Sequence, residues 1–201
     1  IGGRSPDNRW GQGALQEFDH VAVVDSITRY AATAHSASEI GALTEAAFSA
    51  AATPHRGPAF LDVPLDHFFD SATTPDPVGS VVPVVLEPDP DDLSRVASEL
   101  CAAIHPVLVL GSDVWADGAE EAALRLVEEL GVPTLTNGMG RGLLPGGHPL
   151  LVTKARGAAL NQADVVVVVG TPLDFRLGYG LFGGKEGRPL AKVIHLADSP
   201  G

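Results

Sequence analysis

Short apolar runs alternate with amphipathic segments through the second half of the chain. The clearest run is Val165–Val169, five consecutive valines followed by Gly170. A strand without a polar face suits a parallel sheet that helices cover on both sides. Strands of the same kind are predicted at 107–110, 134–136 and 192–196, with helices at about 91–104, 117–130 and 157–162. This alternation predicts a doubly wound, mostly parallel α/β sheet.

The ends of two of these helices carry recognisable signals. Asp91 or Asp92 is expected to cap the first helix, and an Asp117–Glu120 pair the second. Gly131 fits the left-handed position just past the end of the second helix. On the first helix, the residues expected to face the core are Leu93, Val96, Leu100 and Ile104. On the second, they are Ala119, Ala123, Leu126 and Leu130.

The first third of the chain has the pattern of the end of another α/β domain. Ser36 and Glu39 predict a capping box at the start of a helix over about 37–51, and residues 59–63 predict a strand. Residues 71–90 contain five prolines and no helical periodicity, which indicates a linker. The predicted organisation is the end of one domain at 1–70, a linker at 71–90, and an incomplete α/β domain at 91–201.

The net charge and the cysteine content limit which partners and which cellular compartment are expected. A net charge of −12 argues against a nucleic-acid backbone or an anionic membrane as partner. The single cysteine, Cys101, excludes internal disulfides and leaves the redox compartment open, with a reducing cytoplasm as the default location. No apolar run approaches the ~18 residues needed to span a bilayer. The chain starts at Ile1 in what reads as mid-domain sequence, so we expect it to be a piece of a longer protein.

Glycines and polar residues follow the predicted strands. The carboxyl ends of parallel strands meet at one edge of the sheet, where open α/β sheets bind ligands. Glycine there lets a ligand approach the backbone, and successive free amides can hold a phosphate. The candidate nucleotide-binding residues at this edge are Gly111, Ser112, Asn137, Gly138, Gly170, Thr171 and Asp198.

Asp174 and Arg176 add an acceptor and a forked donor at the same edge. The alternative is that Arg176 pairs with Asp174 at the surface.

The glycines at 138, 140 and 142 lack the spacing of the dinucleotide fingerprint, which disfavours a nicotinamide-binding domain. The sequence contains no Cys/His group with zinc spacing, no nucleophile elbow and no phosphate-loop motif. Residues 16–20 contain four polar side chains in five positions. This cluster is either the solvated start of a helix or part of a functional site.

Four segments, in order, resemble the thiamine-diphosphate-dependent enzymes of the acetolactate synthase group, which also includes 2-hydroxyacyl-CoA lyases and oxalyl-CoA decarboxylases. Residues 11–19 (GQGALQEFD) resemble the family segment G-x-G-A-F-Q-E-x-D. Residues 56–66 (RGPAFLDVPLD) resemble the R-x-G-P-V-x-x-D-x-P-x-D that closes its pyrimidine-binding domain. Residues 163–176 resemble the A-D-x-x-x-x-x-G-x-R-F-D-D-R segment of its central domain, and 193–196 the strand that follows.

The resemblance implies roles for individual residues. Gln16 matches the glutamine that projects from the pyrimidine-binding domain toward the active site. The positions that match FAD-contacting residues of acetolactate synthases are Arg56, Gly111, Asp174 and Arg176. Pro172 stands where the family often has Arg, and Phe175 where acetolactate synthases have a second Asp. Both departures favour a synthase-like paralogue over the biosynthetic enzyme.

The resemblance also implies what the parent protein does. It predicts thiamine-diphosphate-dependent decarboxylation or carboligation of a 2-oxo acid or acyl-CoA substrate, in a homodimer or homotetramer, with FAD as a possible further ligand. The family's activating glutamate and its magnesium motif are expected outside these 201 residues, so the segment alone should be inactive. The alternative is a non-catalytic nucleotide-binding or assembly module with the same central fold.

Overall fold

The computed structural model describes residues 1–54, 56–73, 87–187 and 189–197. The chain divides into two units, Ile1–Val85 and Leu86–Gly201. No helix within these described ranges is long and apolar enough to cross a membrane.

The first unit has a three-stranded parallel sheet with helices between the strands. Its strands are β1 (Gly2–Arg4), β2 (Tyr30–Thr33) and β3 (Ala59–Pro64), in the order β1-β3-β2. Its helices are α1 (His20–Val24), α2 (Ile40–Ala52) and α3 (Leu65–Phe69). The predicted strand at 59–63 is confirmed. As the central strand, β3 is buried from residue 61 to residue 64.

The start of α2 differs from its prediction. The helix begins at Ile40, and Glu39 occupies the cap position without a side-chain capping bond. The carboxylate of Glu39 accepts the amide of His35 at 2.9 Å, and the Ser36 hydroxyl pairs with that of Ser38. The predicted Ser36–Glu39 capping box is therefore wrong, because both side chains bond within the preceding turn.

The second unit has a four-stranded parallel sheet in the order β5-β4-β6-β7. Its strands are β4 (Pro106–Leu110), β5 (Thr134–Thr136), β6 (Val165–Val169) and β7 (Lys192–Leu196). Its α-helices are α4 (Pro90–Ala102), α5 (Ser112–Ala116), α6 (Glu120–Leu130) and α7 (Arg156–Gln162). The predicted fold class, a doubly wound parallel α/β sheet, is confirmed.

Strand β6 is buried on both faces, as its five valines predict. Val165 and Val167 pack in one core with Leu108, Leu110 and Val127. Val166 and Val168 pack in a second core, whose other members include Val107, Val109, Leu135 and Leu177. The sheet thus separates two apolar layers.

Two helix starts and two apolar faces in this unit depart from prediction. Asp89, not Asp91 or Asp92, caps α4 and accepts the amide of Asp91 at 2.8 Å. Because α4 ends at Ala102, Ile104 lies beyond it and is 80% exposed.

Helix α6 starts after Ala119 without a side-chain cap, so the predicted Asp117–Glu120 cap is wrong. Its buried residues are Ala123 and Val127, whereas Leu126 and Leu130 are exposed. Gly131 has φ +63° and is the left-handed cap that was predicted.

The strand order creates a switch point between β4 and β6. From β4 the chain moves outward to β5, and it then crosses back to β6 on the other side of β4. Crevices at such points, outside the carboxyl ends of the strands, are the usual ligand sites of open α/β sheets. Gly111 follows β4 and Gly170 follows β6, so two candidate residues stand at this point.

Candidate functional site

Gly111 and Gly170 directly follow β4 and β6 and lie against each other at the switch point. A Cβ on Gly111 would lie 2.3 Å from both the Gly170 carbonyl oxygen and the Thr171 Cβ. The Gly111 amide donates to Val169 at 2.8 Å, and the Gly170 amide donates to Leu196 at 2.9 Å. Neither amide is therefore free to hold a phosphate, and the cofactor-binding role of the two glycines stays a prediction. These glycines allow the strand ends to approach one another.

A buried polar network joins the ends of three strands. The Asn137 side-chain amide donates to the Thr171 hydroxyl at 3.0 Å, and both residues are buried. His195 Nε2 lies 2.9 Å from the Thr171 carbonyl oxygen, to which it donates when it carries the proton. The structure thus brings the predicted residues Asn137 and Thr171 together. His195 joins them through the Thr171 carbonyl.

Ser112 and Gly138 also meet at this edge. The Ser112 hydroxyl accepts the amide of Met139 at 3.0 Å. Gly138 has φ +55°, and a Cβ there would lie 2.4 Å from the Ser112 hydroxyl oxygen. Gly138 is exposed, so its backbone is accessible to a ligand.

Asp174 and Arg176 form a pair with each other. Arg176 Nη1 donates to Asp174 Oδ2 at 2.8 Å, and the Arg176 amide donates to the other carboxylate oxygen at 2.8 Å. The guanidinium lies 5.0 Å from the centroid of the Phe175 ring. This is the surface-pair alternative, and such an exposed pair contributes about 0–1 kcal/mol. Because the pair stabilises the protein so little, an anionic ligand could replace Asp174 as the partner of the Arg176 guanidinium.

Gln16 lies in the first unit with an uncommon backbone conformation. Its φ is +61°, in the left-handed region, and its side chain is exposed. Ser5 donates its amide to the Gln16 carbonyl at 3.4 Å, and both residues line a cavity of about 480 Å³. Non-glycine residues held in this region cost about 1–3 kcal/mol and cluster at functional sites.

Two predicted cofactor-binding residues remain, Arg56 and Asp198. Arg56 belongs to the first unit, in the turn before β3, where it is half-buried. Asp198 lies outside the described residues. The roles of Gln16 and of all the cofactor-binding residues stay predictions.

Sequence reasoning missed a histidine–aspartate pair in the first unit. Asp62 is fully buried in β3, and its Oδ2 lies 2.9 Å from His20 Nδ1. The His20 ring packs edge-on against Phe18, with 3.9 Å between centroids. An aspartate within the apolar run Phe60–Val63 was the available signal, because a buried carboxylate requires a partner.

The second unit corresponds to a known domain. Residues 93–201 match the family model described as "Thiamine pyrophosphate enzyme, central domain". Since this match takes in more than half of the chain, the chain belongs to the thiamine pyrophosphate enzyme family. The resemblance drawn from the four sequence segments is confirmed.

Individual relatives are similar over both units. The chain is 46% identical over 182 residues to the acetolactate synthase large subunit IlvG of Mycobacterium tuberculosis, covering 90% of this chain and 33% of the relative. It is 30% identical over 216 residues to 2-hydroxyacyl-CoA lyase 2 of Homo sapiens, covering 90% and 34%. An X-ray structure of a candidate thiamin diphosphate-dependent enzyme from Mycobacterium smegmatis matches with a TM-score of 0.70 and 28% identity, covering 85% and 34%. The chain spans about a third of the length of these relatives.

Proposed function

We propose that this chain is part of a thiamine-diphosphate-dependent enzyme of the acetolactate synthase type, which decarboxylates a 2-oxo acid and transfers the resulting carbanion equivalent to a second carbonyl compound. The observation that carries this proposal is the 46% identity to an acetolactate synthase subunit over 90% of the chain. Because it covers 90% of the chain, this similarity includes most of the first unit, to which Gln16 belongs. The central-domain match alone covers only residues 93–201.

A second candidate activity is cleavage of a 2-hydroxyacyl-CoA. The 30% identity to the human lyase supports it over the same share of the chain. The two activities use the same cofactor, which supplies the electron sink for carbon–carbon bond cleavage and formation. The two activities differ in the substrate that the protein must recognise, which is a small carboxylate for the synthase and an acyl-CoA for the lyase.

Gln16 is the residue of this chain that we place at the substrate. Its exposed side chain and its left-handed backbone support this role, as does the cavity beside it. A glutamine amide there can donate to a carbonyl or carboxylate oxygen and accept from a hydroxyl. Its part would be to orient the substrate rather than to carry a proton.

FAD at the switch point is a further proposal, and the residues fit it only in part. The amides of Gly111 and Gly170 are committed to the sheet, so a diphosphate would depend on exposed groups. Of these, Arg176 would contact a phosphate once it leaves Asp174, which would then be free to accept from a ribose hydroxyl. The visible spectrum of the purified full-length protein tests this: we expect bound flavin in the wild type and its loss in Arg176→Ala. A colourless wild type that takes up no flavin on reconstitution would contradict FAD binding and leave the thiamine-diphosphate assignment untouched.

A paired assay separates the two activities. The purified full-length protein, supplied with thiamine diphosphate and Mg²⁺, is offered small 2-oxo acids in one arm and 2-hydroxyacyl-CoA thioesters in the other. Carboligation product in the first arm alone supports the synthase proposal. Aldehyde release in the second arm alone replaces it with the lyase. Turnover in neither arm, together with no cofactor binding, would favour a non-catalytic module.

Assembly and location remain predictions. The family resemblance implies a homodimer or homotetramer, and the single cysteine has a cytoplasmic location as its default. The net charge of −12 argues against a nucleic-acid or anionic-membrane partner. Sedimentation of the full-length protein measures the oligomeric state directly.

A further inference from the structure

A cluster of charged side chains surrounds Asp7, which starts the short helical turn Asp7–Arg9 after β1. One carboxylate oxygen of Asp7 accepts from the guanidinium of Arg4. The other lies 2.7 Å from His35 Nδ1 and 3.3 Å from His67 Nε2. These three partners come from β1, from the segment before α2, and from α3. Asp7 therefore joins three parts of the first unit.

His67 stands between two carboxylates. Its Nε2 faces Asp7 at 3.3 Å, and its Nδ1 faces Asp70 Oδ2 at 3.2 Å. Ionised carboxylates only accept hydrogen bonds, and a neutral imidazole donates from one nitrogen only. Both contacts can therefore be hydrogen bonds only while His67 carries its second proton. A neutral ring would set a nitrogen lone pair against one of the carboxylates.

The turn held by this cluster starts the loop that leads to Gln16. Asp66 of α3 accepts the amides of Asp7 at 3.1 Å and Asn8 at 3.2 Å. Trp10 lies under the Arg4 guanidinium, 4.4 Å from ring centroid to the guanidinium carbon. The bond from Ser5 to the Gln16 carbonyl closes the loop at its far end. Contacts to α3 and β1 thus determine where this loop lies.

We propose that His67 is a proton-operated clamp: charged, it holds the 5–18 loop on α3 through Asp7, and neutral, it releases Asp7 and loosens that loop. What this does for turnover rests on the proposed role of Gln16. The clamp itself is measurable without any activity.

The charged groups around His67 favour its protonated form. The hydrogen bond to Asp70 raises the pKa of His67 above its ordinary value of 6.5; burial opposes this, while Asp66 and Asp7 add to it. For Asp7, burial would raise the pKa, but the hydrogen bonds from His35 and Arg4 bring it below its ordinary 3.8. Asp7 thus stays anionic while His67 titrates. A raised histidine pKa means that the clamp is complete below pH 6.5 and is lost as the pH rises through the pKa of the folded state.

Hydrogen exchange of the full-length protein tests the clamp. Protection factors, corrected for intrinsic rates, are compared for the 5–18 peptide between about pH 5.5 and 8.5, either side of the histidine range. We expect protection to fall about two- to fivefold as the pH rises, the size of one partly exposed charged contact. The same change is expected to be absent in His67→Gln, which cannot titrate. His148→Gln is the matched control, because His148 accepts the Leu150 amide in the second unit, and it should keep the wild-type response.

A second variant that is always charged at position 67 keeps the clamp testable even if His67→Gln does not fold. His67→Arg should keep protection high across the whole pH range. A wild-type loop whose protection does not change with pH, or a His67→Gln protein with the wild-type response, would overturn the clamp. If protection responds as expected but kcat does not follow it, the clamp stands and the role given to Gln16 fails.

Discussion

Gly111 occupies a position where no side chain fits. A Cβ would lie 2.3 Å from the backbone oxygen of Gly170 and from the Cβ of Thr171, neither of which can move without shifting β6. We expect Gly111→Ala to lower the free energy of unfolding by about 2–4 kcal/mol, as an overpacked core position does.

Gly157→Ala is the matched control for this prediction. It lies in α7, with no heavy atom within 4 Å of the added Cβ, and alanine is a better helix former than glycine. Urea unfolding should show a neutral or slightly raised stability for this variant. Equal stability of the two variants would contradict the close approach of β4 and β6.

Gln16 is the residue whose function can be tested most simply. We expect Gln16→Ala to lower turnover of the full-length enzyme while changing the free energy of unfolding by less than about 1 kcal/mol, because the side chain is exposed. Gln12→Ala is the control: this amide is also exposed, and it bonds only weakly to the Asn8 carbonyl at 3.5 Å. Steady-state kinetics that do not distinguish the two variants would return Gln16 to a surface role.

At the level of elements, strands could be predicted better than helix ends. Val165–Val169 was readable because a strand covered on both sides must be apolar at every position. The face of α6 was only half predicted: Ala123 is buried and Ala119 packs against the core, but Val127 continues that face instead of Leu126 and Leu130. The Ala119 amide donates to the Val114 carbonyl instead of to a capping side chain. The cap of α4 was misplaced because a proline at the first helical position left Asp89 outside the periodic pattern.

The residues of the candidate site could be predicted only where they directly follow a strand, because the end of the strand then determines where they lie. Glycines after β4 and β6 could be placed at one edge from the strand pattern, and the structure puts them there. Their hydrogen-bond partners could not be foreseen, because the contacts of Gly111 with residues 169–171 join segments about sixty residues apart. The same holds for His20 with Asp62 and for His67 with Asp7, where only the fold brings the partners together.

The corrected face of α6 leads to a prediction for two leucines. Leu108 in β4 is 1% exposed, so Leu108→Ala should cost about 2–5 kcal/mol in free energy of unfolding. Leu126 in α6 is 41% exposed, and Leu126→Ala should cost less than about 1 kcal/mol. Thermal and urea unfolding would both measure the difference. Similar losses in the two variants would restore Leu126 to the core.

At the level of the whole molecule, each unit contributes a different kind of evidence. The second unit carries the family match, and its strand order has a switch point between β4 and β6. The first unit carries Gln16, the pair that His20 forms with the buried Asp62, and the cluster around Asp7. Family membership rests on the second unit, whereas the proposed substrate contact and its pH dependence rest on the first.

Titration of thiamine diphosphate into the cofactor-free full-length protein, followed by calorimetry in the presence of Mg²⁺, tests the central claim most directly. Membership of the thiamine pyrophosphate enzyme family together with the proposed synthase-type activity predicts saturable binding that weakens when Mg²⁺ is removed. It also predicts that binding survives Gln16→Ala, because that residue is placed at the substrate. Absence of saturable binding by the folded wild-type protein would contradict the proposed function.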